Sequence, residues 1–106
     1  MIVIFEEQYL ENLYKEGIDD KKHRFQPDII RRYQKAVNFM KNSSSMTALA
    51  QIHSLNLEKL IGDKEGKYSV RVNDQYRIEF LISQTKETEE PIMTICNILN
   101  LSNHYK

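Results

Sequence analysis

Apolar residues recur along this chain at two spacings, and the change from one to the other separates a helical first half from a stranded second half. Ile2 to Phe5 is a short apolar run of the kind that forms a strand. Tyr9, Leu10, Leu13 and Tyr14 follow at i, i+1, i+4, i+5, which predicts a short helix stopping at Gly17. Phe25-Gln26-Pro27-Asp28 is a helix start, since Pro at the first helical position gives up an N–H the helix does not use and Asp28 complements the helix dipole. Phe25 is placed to staple onto Ile30. Ile29, Ile30, Tyr33, Ala36, Val37 and Met40 then recur at helical period, with Arg31, Arg32 and Lys35 off the stripe. The helix is expected to end by Asn42-Ser43-Ser44-Ser45, a cluster suited to capping a further short helix over Met46 to Ile52.

Past Gly62-Asp63-Lys64-Glu65-Gly66 the period becomes two. Tyr68, Val70 and Val72 alternate with polar residues, as do Tyr76, Ile78, Phe80 and Ile82. Asn73-Asp74-Gln75 between them is expected to be a three-residue hairpin loop. Parity supports that length: an odd loop pairs Val72 with Tyr76, Val70 with Ile78 and Tyr68 with Phe80, keeping one face apolar, whereas an even loop mixes the faces. After the polar stretch Gln84 to Glu90 and Pro91, Ile92 to Leu101 is apolar on both faces apart from Thr94, Asn97 and Asn100, as a central strand is. The fold class is α+β: a short N-terminal strand and two to three helices packed on a C-terminal antiparallel β-meander.

At 106 residues the chain is expected to form one domain over 1–106, large enough for a core without metal or disulfide staples. A single cysteine, Cys96, excludes an internal disulfide and zinc or redox pairs of the CxxC kind and favours a reducing compartment. No apolar run approaches a membrane span of about 18 residues, so the expectation is a soluble cytoplasmic protein with no membrane partner.

The net charge of zero hides a sorted distribution. Residues 1–20 carry one Lys against six acids, residues 21–77 twelve Lys/Arg against five acids, and residues 78–106 two against four. The basic middle fits an anionic partner touched by one face, or simply a solvated surface.

The three-residue loop has a further consequence: it sets Arg71 directly opposite Arg77. Like charges across strands repel by about 0.2–1 kcal/mol. A phosphate gripped by two guanidinium forks accounts for such a pair; neutralisation by Glu79 or Asp74, or splaying into water, accounts for it without function. Lys64 and Lys67 extend the positive surface if the Gly62 to Gly66 turn folds over the same end of the sheet, and are otherwise ordinary turn and edge lysines. The segment is no phosphate-binding P-loop, lacking GxxxxGK[ST] and leading into a strand. His23, His53 and His104 share no metal-ligand spacing, so neither a metal nor another cofactor is expected. His23, beside two lysines, is expected to be solvated, and His53 closes a short helix. His104, with Tyr105, follows an apolar strand and is either a proton-transfer group or a frayed tail residue.

The block from Leu57 to Ile78, with its core GDxxGxYSVRVNxQYRI, resembles the signature of HigB-type toxins of the RelE superfamily, roughly L-H-P-L-K-G-D-R-x-G-x-W-S-x-R-V-N-x-x-W-R-I. The opening YLENLYKEG and the ending NLSNHYK are similar too, so the likeness spans nearly the whole chain. It implies a RelE-like fold and the toxin of a type II toxin–antitoxin system, a metal-independent endoribonuclease (mRNA interferase) that cleaves translated mRNA on the ribosome. It also implies silencing by a helix-turn-helix, HigA-like antitoxin, through which alone operator DNA is contacted.

On this resemblance Arg77 matches the catalytic arginine, Arg71 its neighbour in the RVN motif, and His104 or Tyr105 the C-terminal His or Tyr. Glu58 stands where the pattern has His, and Ile61 where it has Lys. The mechanism expected is attack by a ribose 2′-OH on its own phosphodiester. His104 is assigned to acid or base catalysis with Glu58 as its complement, Arg77 and Arg71 to phosphate stabilisation and Tyr105 to orienting a base, while Lys59, Lys64 and Lys67 supply further positive charge. Two readings from other classes remain open: a RelE/ParE-fold inhibitor that binds a target such as DNA gyrase, and a weakened toxin acting mainly as co-repressor with its antitoxin.

Overall fold

The computed structural model describes residues 1–61, 66–86, 88 and 90–103. Their order is β1 (Ile2–Phe5), α1 (Gln8–Lys15), α2 (Pro27–Asn42), α3 (Met46–Ala50), a 3₁₀ turn (His53–Leu55), β2 (Glu58–Lys59), β3 (Lys67–Arg71), β4 (Tyr76–Gln84) and β5 (Thr94–Asn103). The strands form one mixed sheet in the order β1-β5-β4-β3-β2, with β1 parallel to β5 and the other pairs antiparallel. The fold is therefore the α+β arrangement that the two periodicities call for.

The helices form where the apolar stripes demand them. Pro27 occupies the first turn of α2, and the stripe Ile29, Tyr33, Ala36, Val37, Met40 is buried while Asp28, Arg31 and Arg32 stay exposed. Gly17 ends α1 with φ +65°, a left-handed conformation that costs glycine nothing, and a Cβ there would stand 3.2 Å from the Gln34 side chain. Ser45 caps α3, its hydroxyl accepting from the Ala48 N–H at 3.1 Å. That helix is shorter than the Met46 to Ile52 expectation and passes into the 3₁₀ turn.

The β3–β4 hairpin has the register that parity requires: Tyr68 faces Phe80, Val70 faces Ile78 and Arg71 faces Arg77. Asn73 closes the loop, its side-chain oxygen accepting from the Gln75 and Tyr76 N–H groups at 2.9 and 2.8 Å. Val70, Ile78 and Phe80 of this hairpin are buried with Leu10 and Leu13 of α1, the α2 stripe, and Cys96, Ile98 and Leu101 of β5. Each such side chain taken from water contributes about 1.5–3 kcal/mol.

Two features of the sheet escape the sequence pattern. β5 carries a bulge: Glu79 pairs with Asn100 but Phe80 with Ile98, leaving Leu99 as the extra residue. The bulge shifts parity, which is how Ile98 and Leu101, three apart, both reach the core. β2 is only two residues long, pairing Glu58 with Ser69 and Lys59 with Tyr68, and makes β3 an interior strand.

His23 is not the solvated residue expected from its lysine neighbours. Its ring stacks on Tyr9, with centroids 4.1 Å apart, and on Phe25 at 5.4 Å, while Asp20 holds Nδ1 at 2.7 Å. Phe25 in turn meets Tyr76 edge-on.

Two core groups give checks on this packing. The buried Tyr33 hydroxyl donates to the Leu10 carbonyl at 2.8 Å and ties α2 to α1. Burial, with Tyr9 and Tyr14 adding to it, pushes its ionisation far above the ordinary tyrosine value, so it stays a donor. Tyr33→Phe is expected to lower unfolding free energy by about 0.5–1.5 kcal/mol in urea titration. Burial pushes the Cys96 thiol up to about 11, against a smaller opposing effect of the N-terminal ammonium. Iodoacetamide at neutral pH is therefore expected to label Cys96 far more slowly in the native protein than after denaturation.

Candidate functional site

Alternation along β3 and β4 sends Lys67, Ser69 and Arg71, and Arg77 and Glu79, to the face opposite the helix-packed core. Glu58 joins them as the Cα partner of Ser69, and Ser102 of β5 as that of Arg77. The polar face is thus assembled from three hairpin-linked strands and one short edge strand.

Arg77 is its centre. The guanidinium donates from Nε to Ser69 Oγ at 2.9 Å and from Nη2 to the carbonyl oxygens of Asn56 at 2.5 Å and Ser69 at 3.2 Å. Only 12% of its side chain is exposed. Glu58 Oε2 stands 3.9 Å from Nη2, and Glu58 Oε1 accepts from the Asn56 amide at 3.2 Å. Burial lowers the Arg77 pKa, the Glu58 carboxylate pulls it back up and Arg71 lowers it further. A guanidinium in this setting remains charged, but its field is less damped by water than that of an open surface arginine.

Asn56 and Ser69 carry no mark in the sequence reading. Ser69 shares the parity of Arg71, so strand periodicity contained its position, though not the hydrogen bond. Asn56 ends the 3₁₀ turn with φ +42°, a left-handed conformation asparagine tolerates, and this turns its carbonyl toward Arg77. No short-range pattern announces that contact.

Arg71 and Arg77 oppose each other as the hairpin register requires, but they are not an uncompensated pair. Asp74 in the loop pairs with Arg71 Nη2, so one of the two local neutralisations that the sequence left open is realised. The two forks accordingly engage different acceptors instead of meeting at one point. Lys67 lies on the Arg77 face, as Cα partner of Leu81. Lys59 is the partner of Tyr68 and so occupies the other parity. Lys64, His104 and Tyr105 lie outside the described residues. The described part of β5 ends at Asn103, the partner of Tyr76 and the neighbour of Ser102, the partner of Arg77.

Chemically, the arrangement sets a half-exposed carboxylate beside a fixed, partly desolvated guanidinium on the sheet face opposite the helices. It can take up a proton and stabilise an anion within one site. Among the described residues no group of three or more His, Cys, Asp or Glu is placed to hold a metal ion, and no helix is long and apolar enough to cross a membrane.

A YoeB/ParE toxin from Agrobacterium tumefaciens has a similar fold, with TM-score 0.59 and 13% identity over 99% of this chain and 100% of that one. No curated protein matches the sequence. A family model described as RelE-like toxin of type II toxin-antitoxin system HigB matches residues 3–90, which include Glu58, Arg71 and Arg77 and stop short of β5. The resemblance carried by the Leu57 to Ile78 block is thus matched over most of the length: the chain belongs to the HigB-like family of RelE-like toxins, whose systems pair each toxin with an antitoxin.

Proposed function

We propose that this toxin is a metal-independent endoribonuclease of the cytoplasm, cleaving mRNA during translation on the ribosome by attack of a ribose 2′-OH on the adjacent phosphodiester. The observation that supports this most is the Glu58 carboxylate 3.9 Å from the Arg77 guanidinium on the sheet face opposite the helices. Such a reaction needs a group to remove the 2′-OH proton next to a cation that receives the phosphoryl oxygens as they gain charge. Glu58 is exposed enough to reach a substrate hydroxyl, with Asn56 orienting one oxygen and leaving the other toward Arg77.

Arg77 stabilises the transition state. Its hydrogen bonds to described residues use Nε and Nη2, so the N–H groups of Nη1 are the ones assigned to a phosphoryl oxygen. Ser69 and Asn56 are positioning residues that hold the fork in place. Lys67 adds positive charge on the same face, while Arg71, paired with Asp74, and Lys59 and Lys64 are assigned to the RNA backbone farther from the scissile phosphate. His104 protonates the departing 5′ oxygen and Tyr105 stacks on a base; both assignments rest on the family resemblance.

The partner is a HigA-like helix-turn-helix antitoxin, which links the toxin to operator DNA. Inducing the toxin without its antitoxin and mapping RNA 5′ ends by primer extension tests the proposal. New ends inside translated frames, removed by an inhibitor of initiation, are the expected outcome. DNA damage without new RNA ends would instead favour a gyrase-binding toxin of the same fold.

A further inference from the structure

A second concentration of charge among the described residues lies along α2 and reaches Arg71. Arg31, Arg32 and Lys35 on the exposed side of α2 and Arg71 at the end of β3 border a hollow of about 330 Å³, with Phe39 and Leu55 in its lining. A second hollow of about 580 Å³ shares Arg32 and Arg71 and continues to the hairpin loop. The first hollow runs along α2 with cations at its rim and Ala36, Phe39, Leu55 and Val72 beneath them, and the second, lined by polar residues alone, extends it toward the hairpin loop.

The acids facing it do not balance it. Asp28 alone serves both Arg31 and Arg32, at 3.0 Å each, and Asp74 serves Arg71. Lys35 lies over the Phe39 ring, its Nζ 5.9 Å from the centroid. Among the described residues lining the two hollows, four cations face two carboxylates, a surplus for an incoming anion. The three guanidinium groups already hold carboxylates, so the bonding geometry of this chemistry is displayed within the groove itself. An apolar base under a rim of charges suits a peptide with acidic and apolar side chains.

We propose that this groove is where the antitoxin seats a segment of interspersed acidic and apolar residues. The identity of the partner rests on the toxin reading; the groove's preference for acidic peptide does not depend on RNA cleavage. Occupancy brings carboxylates to Arg71, the Cα partner of Arg77, and so changes the charge one strand away from the proposed catalytic site.

The test uses the full-length chain and a fluorescein-labelled peptide of repeated Glu-Glu-Leu, with an oligouridylate of equal length as competitor. The Arg31→Gln/Lys35→Gln variant alters exposed side chains outside the proposed catalytic site. It is expected to bind the peptide roughly tenfold more weakly, to melt at an unchanged temperature, to cleave RNA undiminished when free, and to escape neutralisation by co-expressed antitoxin. Unchanged peptide affinity overturns the inference whatever happens to cleavage. So does an oligouridylate that binds more tightly than the peptide and loses affinity in the same variant. RNA-end mapping on the unaltered toxin reports separately on the nuclease reading.

Discussion

Replacing Arg77 by alanine is expected to reduce RNA cleavage by about 10²–10³, the usual consequence of removing one preorganised electrostatic contact to a developing charge. Growth arrest on induction should weaken in parallel. The same change has a structural cost, because Arg77 is not a loose surface side chain. It satisfies the Asn56 and Ser69 carbonyls and the Ser69 hydroxyl, and an unsatisfied buried acceptor costs about 1–3 kcal/mol. For a domain of this size each kcal/mol moves the melting temperature by about 4–8 °C. Arg77→Lys separates the two effects: it keeps the charge but loses the planar fork. Activity in that variant should fall between wild type and Arg77→Ala, with melting temperature measured on the same samples. An Arg77→Ala protein that is folded and arrests growth at full potency contradicts the assignment.

Glu58→Gln is the second decisive substitution. The amide keeps the size of the carboxylate and an oxygen for the Asn56 contact, and the site is more than half exposed, so stability should change by less than about 0.5 kcal/mol. What disappears is the proton acceptor, and general acid–base groups contribute about 10²–10⁴ in rate. Cleavage in single-turnover assays should drop accordingly while RNA affinity holds or rises, since a negative charge beside the phosphate has been removed. A Glu58→Gln toxin that cleaves at the wild-type rate would show that another group takes the 2′-OH proton.

The parts of this molecule visible in its sequence are those set by local periodicity. The α2 stripe from Ile29 to Met40 and the parity of the β3–β4 hairpin each follow from residues within a dozen positions of one another, and the structure has both. The opposition of Arg71 and Arg77 follows from that parity alone.

What stayed hidden depends on partners distant in sequence or on elements too short to show a period. Two residues of β2 carry no alternation, so nothing local shows that Glu58 lines up with Ser69. The extra residue Leu99 in β5 breaks a pattern that looks apolar on both faces. His23 looks solvated beside two lysines, yet Tyr9 and Phe25 arrive from either side to cover its ring. Asn56 donates to Glu58 and accepts from Arg77 because of a left-handed backbone angle, which composition does not reveal.

The chemistry of the ends left on RNA reports most directly on the proposed cleavage. Fragments from cells expressing the toxin alone, or from a purified translating system, can be probed for their termini by enzymatic end-repair before ligation. Attack by the neighbouring 2′-OH predicts 2′,3′-cyclic phosphates and 5′-hydroxyls, absent when Arg77→Ala or Glu58→Gln is expressed instead. Fragments carrying 5′-phosphates and 3′-hydroxyls, or no toxin-dependent fragments at all, would contradict it.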